Sequence, residues 1–583
     1  MEEYLLQVRR PAQYIGKEWN ACKKDFDAAN IKFALCFPDL YEVGMSNLGF
    51  RIIYDILNKI QDAVCERVFS PDLDMEKVLR ENKREIFSLE SQRALREFDI
   101  LGFSLSFELC YTNVLNILDL AGIPLSAALR DEKFPLVIGG GPCVMNPEPI
   151  HEFFDLFVLG EAEEVLLEIV DTYRKLKNDY KNSRISKEEL LICFSQIEGV
   201  YAPALYRVDY DNEGKIVNFQ PKSSGIKTAV KKRFLKDLDK AAYPLNWLVP
   251  YVEIIHDRIT LEVMRGCPNS CRFCQARSQY YPFRQKQAKN IMDLASCIYQ
   301  NSGYEELSLG GLSVSDYKGL DELMKSLIDY FKPKGISVSL PSIKPKVMLG
   351  ELSALIASIK KTSLTFAPEA GSEKMRKAIG KDFDADEFYR VMEQAYKSGY
   401  QHLKLYFMTG LPNEEDQDLD KIIEFASLAS ELRRKIGKGP AEVNISINTI
   451  IPKPHTAFQW SNMDDLESAA RKASYIRGRC RNKRLRLSFH DRYMGFMEGV
   501  FSRGDRRLSQ VILAAFAKGA RFDAWNTHFS FEKWVESFKE CGIDPQNYLK
   551  ERSYDERLPW DMLDTGVSRD YLVQEAKKMA QTI

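Results

Sequence analysis

Cysteine is sparse in this chain. Twelve in 583 residues are too few for a disulfide scaffold and point to reduced thiols. No apolar run approaches the roughly 18 residues that cross a membrane. The opening stretch MEEYLLQVRRPAQYIG has no apolar core of a secretory signal, so no membrane association and a cytoplasmic location are expected. Net charge is nearly absent as well. The 82 Lys and Arg stand against 83 Asp and Glu, a balance of −1. That excludes a globally basic nucleic-acid binder but leaves room for a local basic face. There is no low-complexity tract and no solenoid period. What remains is 45% apolar and 28% charged, enough for a sizeable core. At about 150 residues per domain the length suggests roughly two to four domains.

The pattern along the chain predicts an α/β protein in five stretches. Residues 1–30 are a polar lead-in. From 31 to 175 strands and helices alternate: IKFALCFPD, then the amphipathic NLGFRIIYDILNKI, then ILGFSLSFEL, TNVLNILDLAG, FPLVIGGGP and FDLFVLGEAEE. Such alternation predicts a parallel sheet with crossover helices. Ligands of such sheets sit beyond the carboxyl ends of the strands. Residues 176–250 read as a connector containing a β-hairpin with its turn at Asn212–Gly214. From 251 to 460 alternation resumes with ITLEVMRG, ELSLGGLS, ISVSLPS, SLTFAPEAG, HLKLYFMTG and VNISINTIIP. Six such units are too few for a closed eight-fold barrel, so a partial (β/α)6 barrel is expected. Residues 461–583 read as mainly helical, with one strand candidate at RLRLSF.

Within RGCPNSCRFCQAR, Cys267, Cys271 and Cys274 have the spacing C-x3-C-x2-C, directly after the first strand of the second block. Three thiolates converging on a short loop suit a cubane iron–sulfur cluster, which usually takes four cysteines. Here the nearest other cysteine, Cys297, lies in a helical stretch, so one iron would stay open. Structural zinc would want a fourth Cys or His close by, and His256 is a poor candidate.

This loop, after strand one of a partial barrel, resembles the radical S-adenosylmethionine (SAM) enzymes. The resemblance implies that Cys267, Cys271 and Cys274 hold a 4Fe–4S cluster whose open iron is chelated by SAM. It also implies an electron donor such as flavodoxin or ferredoxin. LSLGGLS (Leu307–Ser313) stands where the family binds the SAM amino group. Gly310 and Gly311 match, but Leu312 replaces the usual acidic residue, which favours backbone contact. FAPEAGS (Phe366–Ser372) stands at the fourth strand, with Glu369 and Ser372 as candidates for the ribose and methionine. FMTGLPNE, with Gly410, resembles the fifth-strand glycine motif beside adenine, and IIPKPHTAFQW resembles the sixth-strand end. Taken singly, each of these is also ordinary turn chemistry.

Residues 31–175 resemble the Rossmann-like cobalamin-binding domain that precedes the barrel in one branch of that superfamily. Cobalamin domains of the methionine synthase type carry D-x-H-x-x-G after the first strand. Here Asp39 and Gly44 keep the frame, but Tyr41 holds the histidine position. A phenol is a poor cobalt ligand beside imidazole, so the resemblance implies cobalamin bound without a lower histidine. Ser104 or Ser106 matches the serine that meets the buried nucleotide tail. Gly139, Gly140 and Gly141 match the glycine turn beside it, and Gly160 and Glu161 are also typical. The alternative is a degenerate domain that binds nothing. FPDLYEVGMSNLG, SLPS, LTFAPEAGS, PKPHTAFQW and EGVFSRGDRR together resemble an uncharacterised branch of cobalamin-dependent radical SAM proteins.

Residues 471–492 hold nine Lys and Arg against Asp491 alone. A solvated face accounts for that. A face for RNA or another anionic substrate, with Arg479, Arg481 and Arg484 in contact, is the functional alternative. Because this segment follows the last expected barrel strand, it is expected to flank the barrel mouth. The function expected from the resemblance is methylation of an unactivated carbon through a 5′-deoxyadenosyl radical and methylcobalamin. Cyclisation or rearrangement on the same cofactors is a second reading, and a non-catalytic cobalamin- or RNA-binding protein a third.

Overall fold

The structure is a computed structural model describing residues 2–340, 364–381, 383–397, 399–437 and 439–582. The Pro341–Ser342 end of the SLPS motif lies outside the described residues.

The amino-terminal unit is a doubly wound sheet. Its strands are β1 (Ile31–Phe37), β2 (Ala63–Phe69), β3 (Ile100–Ser104), β4 (Leu136–Gly140), β5 (Leu156–Val158) and β6 (Val200–Tyr201), in the order β2-β1-β3-β4-β5-β6. All pairs are parallel except β5 with β6. The apolar run of β1 follows from this topology, because a parallel strand is buried on both faces. Helices α1 (Leu48–Lys59), α2 (Leu73–Glu81), α3 (Tyr111–Leu120), α4 (Ala162–Lys181) and α5 (Lys187–Ser195) cover the sheet. Asn47 caps α1 by accepting a hydrogen bond from Phe50 N at 2.9 Å. The expected boundary at 175 cuts through α4, and β6 lies in the stretch read as connector, so the sheet extends the domain to Tyr201. The hairpin follows as β7 (Tyr206–Tyr210) and β8 (Ile216–Pro221).

The second unit carries parallel strands in two described sheets. β9 (Ile259–Glu262), β10 (Glu306–Gly310) and β11 (Ser337–Ser339) form one. β12 (Leu364–Glu369), β13 (His402–Thr409), β14 (Glu442–Thr449) and β15 (Leu485–Phe489) form the other. The six expected strands are all present. RLRLSF is a further one, paired in parallel with β14 from Val443↔Leu485 onward. The barrel sheet therefore runs past the expected limit at 460. Among its helices are α6 (Gln275–Gln279), α7 (Ala288–Ser302), α8 (Leu320–Phe331), α9 (Glu373–Ala378), α10 (Ala385–Lys397), α11 (Asp416–Glu431) and α12 (Leu466–Arg479).

The chain closes with α13 (Arg492–Arg503), α14 (Leu508–Ala517), α15 (Phe531–Glu540) and α16 (Arg569–Thr582). Phe501, Ile512 and Trp534 from these helices share one continuous core with Phe33, Leu115 and Phe157 of the amino-terminal sheet. The barrel core is separate, and Ile52 and Ile56 of α1 belong to it. Helix α1 is thus buried on two sides and joins both cores. Among the described residues no helix is long and apolar enough to cross a membrane.

Candidate functional site

The cysteine loop begins at Gly266, whose φ of +79° is open to glycine at little cost. A Cβ there would lie 2.7 Å from the Tyr280 carbonyl oxygen. Arg272 N donates to Ile379 O at 2.9 Å and Ala457 N donates to Arg272 O at 3.1 Å. The loop is thus wedged between the segment after α9 and the PKPHTAFQW segment after β14, both beyond strand carboxyl ends. The Arg272 guanidinium bonds Ala378 O at 2.7 Å and Glu575 at 2.9 Å, so α16 also holds the loop. Ser278, on α6 just after Cys274, donates to His455 O at 2.6 Å.

The three thiols act on one another. Burial pushes the Cys271 thiol up to about 11, the Lys381 ammonium pulls it down, and Cys274, Cys267 and Glu369 push it up. Burial also raises Cys274, with Cys267 adding to the shift. Iron would supply the positive charge these thiolates lack. Among the described residues no three His, Cys, Asp or Glu converge as a single ion demands. Asn269 Nδ2 lies 3.1 Å from Cys267 Sγ and 2.8 Å from Asp316 Oδ2. Asn269 and Lys381 escaped sequence reasoning. The first lies inside the triplet without a motif of its own, and the second is brought in only by the turn after α9.

A cavity of about 530 Å³ lies between the two units. Its floor is one face of the amino-terminal sheet, where alternate residues of adjacent strands line up. Leu35 stands beside Gly102 and Gly102 beside Ile138, while Ser104 stands beside Gly140 and Gly140 beside Val158. This is the switch point at which strand order reverses, where doubly wound sheets take ligands. Helices α1 and α4 form the walls, through residues such as Ile52 and Leu166. The roof comes from the barrel: Glu262, Met264, Arg265, Gly266, Gly310, Gly311 and Leu312. Arg265, 8% exposed, bridges Glu161 at 3.1 Å, Glu163 at 2.8 Å and Glu262 at 2.8 Å. Arg284 binds Glu161 at 2.6 Å. Burial alone would raise the Glu161 carboxyl, but these two guanidiniums hold it below the usual range.

The expected residues divide clearly. Ser104, Ser106, Gly139, Gly140, Gly141, Gly160, Glu161, Gly310 and Gly311 all line this one cavity. Asp39, Tyr41 and Gly44 do not. The Tyr41 hydroxyl donates to buried Glu18 at 2.8 Å, and Glu18 pairs with Arg67 at 2.6 Å. Asp39 accepts from Trp525 Nε1 at 2.9 Å. A Cβ on Gly44 would sit 2.3 Å from the Phe69 ring. The D-x-Y-x-x-G frame thus turns into the core and away from the cavity. Glu369 sits at a break in β12–β13 pairing, at φ +68°, an uncommon conformation for a side-chain-bearing residue, and accepts from Lys381 at 2.8 Å. Ser372 caps α9 and donates to Asp418 at 2.6 Å. Gly410 N donates to Glu414 at 2.8 Å. Glu369, Ser372 and Gly410 lie outside the cavity lining.

The basic segment sits elsewhere. Because β15 runs parallel to β14, residues 479–484 lie at the edge where the strands begin, whereas the cysteine loop lies at the edge where they end. Arg479 binds Asp420 through two nitrogens at 2.7 Å, and Arg484 lies 3.6 Å from Glu442. Arg481 is exposed on the same edge. Arg479, Arg481 and Arg484 therefore do not flank the barrel mouth. Arg503 and Arg506 of RGDRR are structural: Arg506 binds Glu148 at 2.6 Å and Arg503 donates to Lys550 O at 2.8 Å.

Family models decide the identity. "Radical SAM superfamily" matches residues 261–426, and "Radical SAM proteins, N-terminal" matches residues 49–203. This chain belongs to the radical SAM superfamily. The cofactors of this radical SAM protein are accordingly an iron–sulfur cluster and SAM. It is 27% identical over 513 residues to the uncharacterized protein MJ0966 of Methanocaldococcus jannaschii, covering 88% of this chain and 97% of that one. Among solved structures it resembles the radical SAM methyltransferase TsrM from Kitasatospora setae with cobalamin and a 4Fe–4S cluster bound. There the TM-score is 0.44 at 12% identity, over 71% of this chain and 74% of that one. It also resembles the cobalamin-dependent SAM radical enzyme OxsB with aqua-cobalamin and SAM bound. That TM-score is 0.48 at 12% identity, over 94% of this chain and 79% of that one.

Proposed function

We propose that this radical SAM enzyme binds cobalamin in the inter-unit cavity and methylates an unactivated carbon. The observation that carries the reading is the single cavity, which joins the glycine-floored sheet face to the barrel roof at Gly266, next to Cys267. The fit is visible at Gly140: a Cβ there would meet nothing closer than 4.0 Å, so the bare backbone opens a cradle that a side chain would fill. Ser104, Ser106 and Asn47 offer polar contacts along the groove, while Leu35, Ile52, Ile138, Val158 and Leu166 exclude water. Among the described residues lining the cavity there is no histidine, which suits a corrin held without a protein imidazole. When bound, the cluster, SAM and the corrin supply hydrogen-atom abstraction from an unactivated carbon and delivery of a methyl group to it. The chain's own part is positional. Cys267, Cys271 and Cys274 hold the cluster, and Asn269 donates to the Cys267 sulfur. Gly310, the last residue of β10, and Gly311 line the cavity and are the candidates for backbone contact with SAM. Arg265 locks Glu161 and Glu163 of one unit to Glu262 of the other, fixing the two cofactor sites relative to each other.

The test is anaerobic purification with iron, sulfide and corrin analysis, followed by incubation with methyl-labelled SAM and cell extract. Bound corrin and label appearing in a product support the reading. Corrin bound but product unlabelled redirects it to cyclisation or rearrangement, and no corrin after reconstitution overturns it.

A further inference from the structure

Parallel strands buried on both faces read as continuous apolar runs, as β1 does. Strands β13, β14 and β15 do not. HLKLYFMT, EVNISINT and LRLSF alternate residue by residue. Leu403, Leu405, Val443, Ile445 and Leu485 share the barrel core with Phe388 of α10 and Phe425 of α11. The residues between them point the other way, into the barrel. The pairing register lines them up in rows. Lys404 stands beside Asn444 and Asn444 beside Arg486, then Tyr406 beside Ser446 and Ser446 beside Ser488. The other sheet turns a row of its own inward, Thr260 beside Ser308 and Ser308 beside Ser339. A closed barrel is filled by bulky branched side chains. Here the inward rows are largely polar, and Asn444, Asn448 and Ser488 are exposed. The interior is therefore open space. It runs on into the cavity, whose lining includes the inward residues Glu262 and Gly310.

The charge of this interior is one-sided. Among the described residues of these strands, each inward carboxylate already has a cation. Glu262 has Arg265 at 2.8 Å, Glu306 has Arg258 at 3.5 Å and Glu369 has Lys381 at 2.8 Å. Glu442 is shared by Arg484 at 3.6 Å and Arg486 at 3.5 Å. Lys404 is half-buried and pairs with none of them; its ammonium lies over the Tyr406 ring at 5.1 Å. A half-dry ammonium without a counter-ion, among amides and hydroxyls, selects an anionic guest. We propose that the inward face of β13–β15 binds the substrate, a small elongated molecule whose terminal phosphate or carboxylate is seated on Lys404. The inference rests on the proposed methyl transfer for there being a substrate, and on the strand faces for its chemistry. Lys404 lies five residues before Thr409, the end of β13. At about 3.3 Å per residue that is about 16 Å below the mouth. The anion is thus held deep, and the far end of the molecule reaches the cysteine loop and the cavity. Asn444, Ser446 and Asn448 meet its polar groups along the way.

The test uses the full chain with reconstituted cluster and the variants Lys404→Met and Lys404→Arg. Iron content and melting temperature show that each variant is folded. The probes are pyrophosphate and citrate, titrated by calorimetry. The expected result is binding by the parent, a loss of about 10-fold or more in Lys404→Met, and recovery of most of it in Lys404→Arg. Pyrophosphate as the tighter probe assigns a phosphate terminus, and citrate a carboxylate. Equal binding by the parent and Lys404→Met overturns the inference, as does a parent that binds neither anion. The second readout is label from methyl-labelled SAM in fractionated cell extract. Label is expected in small molecules retained by an anion exchanger, with Lys404→Met needing about 10-fold more extract for half-maximal labelling. Label only in RNA, in protein or in uncharged small molecules overturns the inference and keeps the methyl transfer. No label in any fraction overturns the methyl transfer instead, and the anion titrations then still decide whether Lys404 holds an anion.

Discussion

At the scale of single residues, the cysteine loop makes the sharpest demand. Reconstituted Cys271→Ala should lose its roughly four irons and all reductive SAM cleavage. Cys297→Ala, on α7 and away from the loop, should keep both. Iron and sulfide analysis with ultraviolet–visible spectra checks this. His455 sets a second expectation. Burial depresses its imidazole from 6.5 to about 4, and its Nε2 meets Met145 O at 3.0 Å. Between those pH values the unfolded chain binds a proton that the folded chain refuses. Stability is therefore full above pH 6.5 and falls by about 3 kcal/mol as pH drops toward 4. His455→Gln should flatten that limb of a Tm-against-pH curve, and an unchanged slope would count against the assignment. The triplet was legible in the sequence because thiolate spacing is a local property of one short loop. Its supports were not. Lys381 reaches Glu369 and Cys271 from the turn after α9, and Asp316, which accepts from Asn269 at 2.8 Å, comes from the segment after β10.

At the scale of elements, the carboxyl end of β4 shows glycine doing two different things. Gly139 is crowded, since a Cβ would lie 2.8 Å from the Phe157 ring, whereas Gly140 faces open space. Gly139→Leu should therefore destabilise the sheet by overpacking, about 1–3 kcal/mol. Gly140→Leu should leave Tm near the parent value and weaken hydroxocobalamin binding by about 10-fold or more, as the side chain fills the groove. Titration by absorbance, alongside thermal melts, separates the two. The strands were readable because apolar runs ending in Gly or Pro are a local signal. What the text of RLRLSF could not show was its partner. Only the pairing of Leu485 with Val443 places it in the barrel sheet and carries the neighbouring arginines to the far edge. The direction in which Tyr41 points was hidden for the same reason. Its frame was visible, but its direction depends on Glu18 and Arg67, which the chain brings in from both sides.

At the scale of the whole molecule, the amino-terminal sheet and the closing helices form one body, although the barrel separates them in sequence. Glu148 and Tyr201 of the first unit bind Arg506 of the last, at 2.6 and 2.9 Å. Arg506→Ala strands a buried carboxylate and should cost about 3–5 kcal/mol, read as a lower urea midpoint, while Arg481→Ala should be near neutral. The same arrangement has a consequence for how the protein is made. The sheet is synthesised by Tyr201, but Phe501 and Trp534, which complete its core, emerge about 300 residues later. At about 5–20 residues per second, the nascent amino-terminal unit waits on the order of 15–60 s with apolar surface uncovered. The barrel, whose core is drawn mostly from its own consecutive strands, can close during that wait. Birth order and assembly order therefore differ, and the first part of the chain to leave the ribosome is among the last to finish.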